Sequence, residues 1–143
     1  MVPFETTLEV RDCCLCLHAQ RAARALARRF DEALRPFDLT NQQFSLLMAL
    51  NRPEPPTMSP VAELLAMDRT TLTAALKPLE WRGLLKVDAD PKDRRSRRLR
   101  LTDAGHAVLL KALPIWKQTH LDIGKERPDL DMDGLRASLR ALA

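Results

Sequence analysis

A chain of 143 residues, 45% of them hydrophobic, holds one ordinary domain with its own core, which excludes both a disordered polypeptide and two independent domains. No apolar run approaches the roughly 18 residues of a membrane span. The N-terminus MVPFETTLEVRD carries acids where a secretory signal has a basic region, so a cytoplasmic protein without a membrane partner is expected.

The net charge of +4 is mild, but it is unevenly spread. Between Arg69 and Thr102 ten Lys or Arg stand against four Asp or Glu, a net +6, and the remainder of the chain is therefore −2. Such a segment is the electrostatic footprint of a polyanion partner. It is also what an ordinary solvated face looks like. The three cysteines, Cys13, Cys14 and Cys16, form an odd and clustered set. That pattern reads as reduced thiols and not as a disulfide framework.

Residues 12–35 read as one helix, with Leu15, Ala19, Ala22, Leu26, Phe30 and Ala33 recurring at steps of three and four. Arg21, Arg24, Arg28 and Arg29 occupy its other side, and Pro36 ends it. Thr40 is the cap expected for a second helix through Phe44, Leu47, Met48 and Leu50. Residues 51–58 hold three prolines and form a loop.

Ser59 reads as the N-cap of a short helix over 60–66, with Pro60 in its first position. Asp68 caps the next helix, 69–82, and Gly83 terminates it. Two short helices meeting at Met67–Asp68 are a helix-turn-helix pattern, with Leu64, Leu65, Leu72, Leu76 and Leu79 as the core between them. Pro78 predicts a bend or loosened turn, with Arg69–Leu76 regular.

Residues 84–90 and 97–102 alternate apolar and polar around PKDRRS, which is a strand–loop–strand hairpin with a basic tip. Thr102 caps a long helix, about 103–124, whose apolar residues include Ala107, Leu110, Leu113, Trp116 and Leu121 and which Pro114 should kink. Asp131 caps a last helix, 131–142, with Leu135, Leu139 and Leu142 on one side. The class is mainly α (α+β): a winged helix-turn-helix.

A helix fits the major groove of B-DNA and reads it from its N-terminal end. The residues there are Arg69, Thr70, Thr71 and Thr73, with Lys77 a turn further on. Arginine forks onto guanine, threonine bonds phosphate or touches a thymine methyl, and the helix dipole favours phosphate. Each threonine taken singly also fits as solvent-facing filler. The hairpin tip, Asp93, Arg94 and Arg95, is a second reader, because arginine on a narrow ribbon enters the minor groove. A charge-assisted hydrogen bond accepted by Asp93 would hold Arg95, leaving Lys92, Arg97 and Arg98 for phosphates.

The stretch DRRSRRLRLT (93–102), followed by Gly105, resembles the wing signature of the MarR family of winged helix-turn-helix transcriptional regulators: Asp, any residue, Arg, five residues, Leu, Thr, then Gly. Residues 59–85 resemble that family's helix-turn-helix, and DLTNQQFSLL (38–47) its second helix. The likeness spans about residues 12–125. It implies a recognition helix at 69–82, with Arg95 in the minor groove and Asp93 orienting it. It implies a homodimer through helices 12–35 and 103–142, a DNA-binding lobe at about 40–101, and one domain over 1–143. It also implies a repressor on a pseudo-palindromic double-stranded operator, released by a small aromatic or carboxylate effector.

The effector crevice expected between dimer helices and DNA-binding lobe draws on His18, Arg21, Phe30, Phe44 and Trp116, each of which also reads as plain core or surface. The position of Cys16, with Arg24 eight residues on, resembles the organic-hydroperoxide-sensing branch of the family and makes Cys16 a candidate redox sensor. That branch bonds its thiol with tyrosines, and this chain has none. The cysteines equally read as small apolar residues packing a helix. Cys13, Cys16, His18, His106 and His120 match no zinc spacing, so neither a metal nor another cofactor is expected. An enzyme is disfavoured by the absence of a phosphate loop or nucleophile elbow. A protein-binding winged-helix adaptor has no use for an Asp-x-Arg tip.

Overall fold

Groups that satisfy free backbone N–H donors set where these helices begin. In the computed structural model, which describes residues 1–143, α1 (Phe4–Cys13) and α2 (Leu15–Leu34) are separated by a single extended residue, Cys14. The Cys14 Sγ accepts the Leu17 N–H at 3.4 Å and so caps α2. A short 3-10 turn, Arg35–Phe37, follows, and Asp38 reverses the chain with φ 54°. α3 (Asn41–Leu50) opens in a capping box, with Thr40 Oγ1 accepting the Gln43 N–H and Gln43 Oε1 accepting the Thr40 N–H.

α4 (Met58–Leu65) and α5 (Arg69–Trp81) form the helix-turn-helix, joined through Ala66 in the left-handed region. β1 (Leu85–Ala89) and β2 (Arg97–Leu101) pair antiparallel with Leu85 opposite Leu101 and Val87 opposite Leu99. Alternation turns Leu85, Leu99 and Leu101 into the core. The proline-rich loop adds a partial third strand: the Leu99 N–H donates to the Pro56 carbonyl at 2.8 Å, and Thr57 bridges Arg98.

α6 (Asp103–Glu126) begins on Thr102, whose hydroxyl accepts the Gly105 N–H and donates to the Gly83 carbonyl at 2.6 Å. The Thr102 N–H also donates to the Leu84 carbonyl. α7 (Met132–Leu142) begins on Asp131. Two glycines are needed at these joints. Gly83 ends α5 with φ +72°, and a Cβ on Gly105 would lie 2.2 Å from the Leu84 carbonyl oxygen.

The core is built from Leu34, Phe44, Leu47, Val61, Leu72, Leu79, Leu85, Leu99, Leu109 and their neighbours, between α3, α4, α5, the hairpin and the first half of α6. α2 buries only Phe30 and Leu34 in its last turns, and α1 and α7 bury nothing. Leu15, Leu26, Leu135, Leu139 and Leu142 stand exposed.

Several boundaries differ from those read in the sequence. The single helix over 12–35 is two, because Cys14 leaves the helical region and its sulfur starts a new helix. α4 begins at Met58, two residues before the expected position, since Thr57 is held extended against Arg98. Pro60 is thereby in the first turn, where its missing N–H still costs nothing. Leu64 is not core but 62% exposed. α5 stays helical through Pro78, and α6 through Pro114. On α6, Ala107, Leu110 and Leu121 face outward, and the buried residues are Gly105, Leu109, Ala112 and Thr119. The helix is apolar on two sides, so periodicity alone did not fix which side meets the core.

Candidate nucleic-acid interface

The N-terminus of α5 is organised by Asp68. Its carboxylate accepts the Thr71 N–H at 2.7 Å and the Thr71 hydroxyl at 2.9 Å, and these bonds hold its pKa below the usual carboxylate value. The Thr73 hydroxyl donates back to the Arg69 carbonyl at 2.7 Å. Thr70 makes no such bond and is exposed, as are Arg69 and Lys77. The three threonines are therefore unequal: two spend their hydroxyl protons inside the helix, and Thr70 has its proton to offer.

The wing tip is organised by two aspartates. The Arg95 backbone N–H donates to Asp93 Oδ1 at 2.9 Å, and the Ser96 N–H donates to the Asp93 carbonyl. Asp93 thus fixes the backbone that carries Arg95, whereas the sequence suggested a bond to the guanidinium. Arg94 and Arg95 are exposed and lie within ion-pair distance of no carboxylate. Arg97 Nη1 leans toward the Arg94 carbonyl at 3.5 Å. Arg98, expected on a phosphate, instead turns inward to the Pro55 carbonyl and Asp90. Asp90 is buried at 8% exposure, and nothing in the hydrophobic pattern marked it.

Of the residues assigned to an effector crevice, the structure brings Phe30, Phe44 and Trp116 together. Trp116 stacks on Phe44 with centroids 5.9 Å apart. His120, one turn beyond Trp116 on α6, completes the group at 4.3 Å from Trp116 and 4.7 Å from Phe30. Desolvation against these rings, and then the charge of Arg136, lower the His120 pKa. The rings with Asn41 and Ser45 border a hollow of about 280 Å³, and Trp116 and His120 also border a larger one of about 610 Å³ toward α7, rimmed by Lys117 and Arg136.

His18 and Arg21 are not part of this group. α2 rises about 18 Å between positions 18 and 30, and both residues lie exposed on its free half. His18 Nδ1 sits 2.7 Å from the Cys14 carbonyl, and Arg21 flanks a shallow hollow with Arg24 and Arg28. Cys16 is exposed nearby, and its Sγ accepts a bond from Gln20 Nε2 at 3.1 Å. Gln20 Oε1 in turn accepts from Arg24 Nη2 at 3.0 Å.

A sequence model of the MarR family matches residues 39–96, the stretch from the start of α3 to the wing tip. The chain is 37% identical to the transcriptional regulator MosR of M. tuberculosis, whose structure was solved in complex with DNA; the match covers 90% of this chain and 92% of that one, with a TM-score of 0.80. It is 32% identical to the transcriptional repressor CouR bound to a 23-mer DNA duplex, covering 94% and 92% of the two chains with a TM-score of 0.74. The organic hydroperoxide resistance transcriptional regulator of Bacillus subtilis (strain 168) is 29% identical over 128 residues, 90% of this chain and 86% of that protein. The fold, the wing and these likenesses converge: the chain belongs to the MarR family of transcriptional regulators.

Proposed function

We propose that this chain is a cytoplasmic repressor that binds a pseudo-palindromic operator as a homodimer, α5 in the major groove and the wing in the minor groove. The observation that carries the reading is the wing tip: Asp93 braces the backbone under Arg95 while the guanidinium stays unpaired in solvent. Such an arginine suits the negative potential of a narrow minor groove. Arg69, Thr70 and Lys77 serve base edges and phosphates from α5, with Arg94 and Arg97 on phosphates beside the wing. MosR and CouR, the relatives above, were both solved with DNA.

Dimerisation is supported by α1 and α7, which bury no residue within the chain. Helices of 10 and 11 residues are marginal alone in water and need a partner surface. A small aromatic or carboxylate effector suits the Phe30, Phe44, Trp116 and His120 group, with Lys117 and Arg136 to hold an acid. Footprinting of the chain's own promoter region tests the reading. Protection that weakens steeply with salt is expected, and no protection at moderate salt overturns it.

A second reading, thiol-based peroxide sensing at Cys16, is favoured by the Arg24–Gln20–Cys16 relay. A guanidinium polarises the Gln20 amide, which then bonds the sulfur as tyrosine does in the hydroperoxide-sensing branch. The thiolate would attack the peroxide; the O–O bond breaks, an S–O bond forms, and the alkoxide leaves and takes a proton as alcohol. Peroxide should release DNA from the wild type and not from Cys16→Ser. Equal release from both ends this reading.

A further inference from the structure

Arg98 lies on β2 between Arg97 and Leu99, on the strand face opposite Leu99 and Leu101, where alternation sends side chains to solvent. Its side chain is nonetheless only 25% exposed. Nη1 donates to the Pro55 carbonyl at 2.8 Å, across 43 residues of sequence. Nε lies 3.4 Å from Asp90 Oδ1, an ion-pair distance, and makes no hydrogen bond.

Asp90 is the closing point of the tip. Its N–H donates to the Ser96 carbonyl at 3.1 Å, its carbonyl accepts the Asp93 N–H at 3.3 Å, and its Oδ1 accepts the Lys92 N–H at 3.0 Å. From Asp93 the next bond reaches the Arg95 N–H. One chain of contacts therefore runs Pro55, Arg98, Asp90, Asp93, Arg95. Its far end is stiff, because Pro55 and Pro56 have fixed φ and Pro56 also takes the Leu99 N–H.

We infer that Arg98 is a positioning residue for DNA recognition: by spanning the Pro55 carbonyl and the Asp90 carboxylate it ties the wing tip to the loop between α3 and α4, and so sets where Arg95 meets the minor groove. The inference rests on the minor-groove reading of Arg95. It removes Arg98 from the phosphate-contacting set and gives the proline-rich loop a part in the wing. The planar guanidinium bonds the Pro55 carbonyl through Nη1 while its Nε faces the Asp90 carboxylate, a fixed spacing of two nitrogens that the single nitrogen of an ammonium does not reproduce.

The test is a double-mutant cycle on a DNA fragment carrying the footprinted site. Arg95→Ala and Arg98→Met should each weaken binding by about tenfold, and the double variant should bind within about twofold of Arg95→Ala alone. Asp90→Asn should behave as Arg98→Met. In Arg98→Met, hydroxyl-radical protection in the minor groove should fade while methylation protection of major-groove guanines under α5 persists. Additive losses, unchanged binding by Arg98→Met, or joint loss of both protections would overturn the inference. An Arg95→Ala variant that binds normally would sink the minor-groove reading itself, which is a separate outcome.

Discussion

Arg82 Nη1 donates to the Asp38 carbonyl at 2.7 Å, and its other terminal nitrogen lies 3.6 Å from the Asp38 carboxylate. Arg82 is the C-cap of α5, and Asp38 is the left-handed residue that turns the chain into α3. The bond joins the end of the proposed recognition helix to the turn after α2. Arg82→Ala should cost about 1–2 kcal/mol of stability, with Arg82→Lys recovering part. Denaturant titration measures it, and an unchanged midpoint would count against the tie.

The threonines of α5 should separate in DNA binding. Thr70 has an uncommitted hydroxyl, whereas Thr73 returns its proton to Arg69. Thr70→Val should therefore weaken operator binding more than Thr73→Val. Thr71→Val should mainly lower thermal stability, since Thr71 donates twice to Asp68. Fluorescence anisotropy beside thermal melts distinguishes the three.

Acid should lower the stability of the fold over two pH ranges. Asp68, held low chiefly by the Thr71 N–H, Asp90 by the Lys92 N–H, and Glu126 by Arg29 all have folded pKa values below their unfolded ones. Asp129, beside Arg127, is lowered to about 2. Their stabilisation is complete above the unfolded carboxylate value of about 4 and is lost as pH falls through the folded values. His120 is also lowered, so its contribution is complete above about 6.5 and is lost on acidification below that. His120→Gln should remove the loss that sets in below about 6.5 and keep the carboxylate one below about 4. Melting temperature against pH shows whether it does.

Charging the α7 face should split the proposed dimer. Leu135 and Leu139 are 44% and 48% exposed in the single chain. Leu135→Glu with Leu139→Glu should give monomers by analytical ultracentrifugation. Losing the second half-site should lower operator affinity about 100-fold or more. A variant that stays dimeric would place the interface elsewhere.

Gly105→Ala should be poorly tolerated. Its Cβ would lie 2.2 Å from the Leu84 carbonyl oxygen and 2.7 Å from Leu101 Cδ1. Backbone and a core leucine must shift, at a cost of about 1–3 kcal/mol. A melting temperature equal to wild type would contradict the close approach.

Much of this architecture is legible because its determinants are local. Thr40, Asp68, Thr102 and Asp131 each cap a helix from within three residues, so their chemistry can be read in place. The hairpin followed from alternation over ten residues of strand. What escaped depends on distant partners or on unusual donors. Cys14 caps with sulfur, where oxygen is the usual signal. Arg98 turns inward because of Pro55, 43 residues earlier. His18 and Arg21 share a helix with Phe30, yet a helix carries residues apart as surely as it aligns them. His120 was legible as Trp116 plus four, a relation that only matters once α2 lies alongside.

Thr102 is a shared fulcrum. Its hydroxyl and N–H grip Gly83 and Leu84 just past α5, while its own chain leads out of β2 and into α6. A torque carried down α6 from the far end therefore arrives at one point from which both the helix and the ribbon are hung. Because both are tied to Thr102, a displacement of α6 should move the helix and the ribbon as one piece, with the angle between them kept.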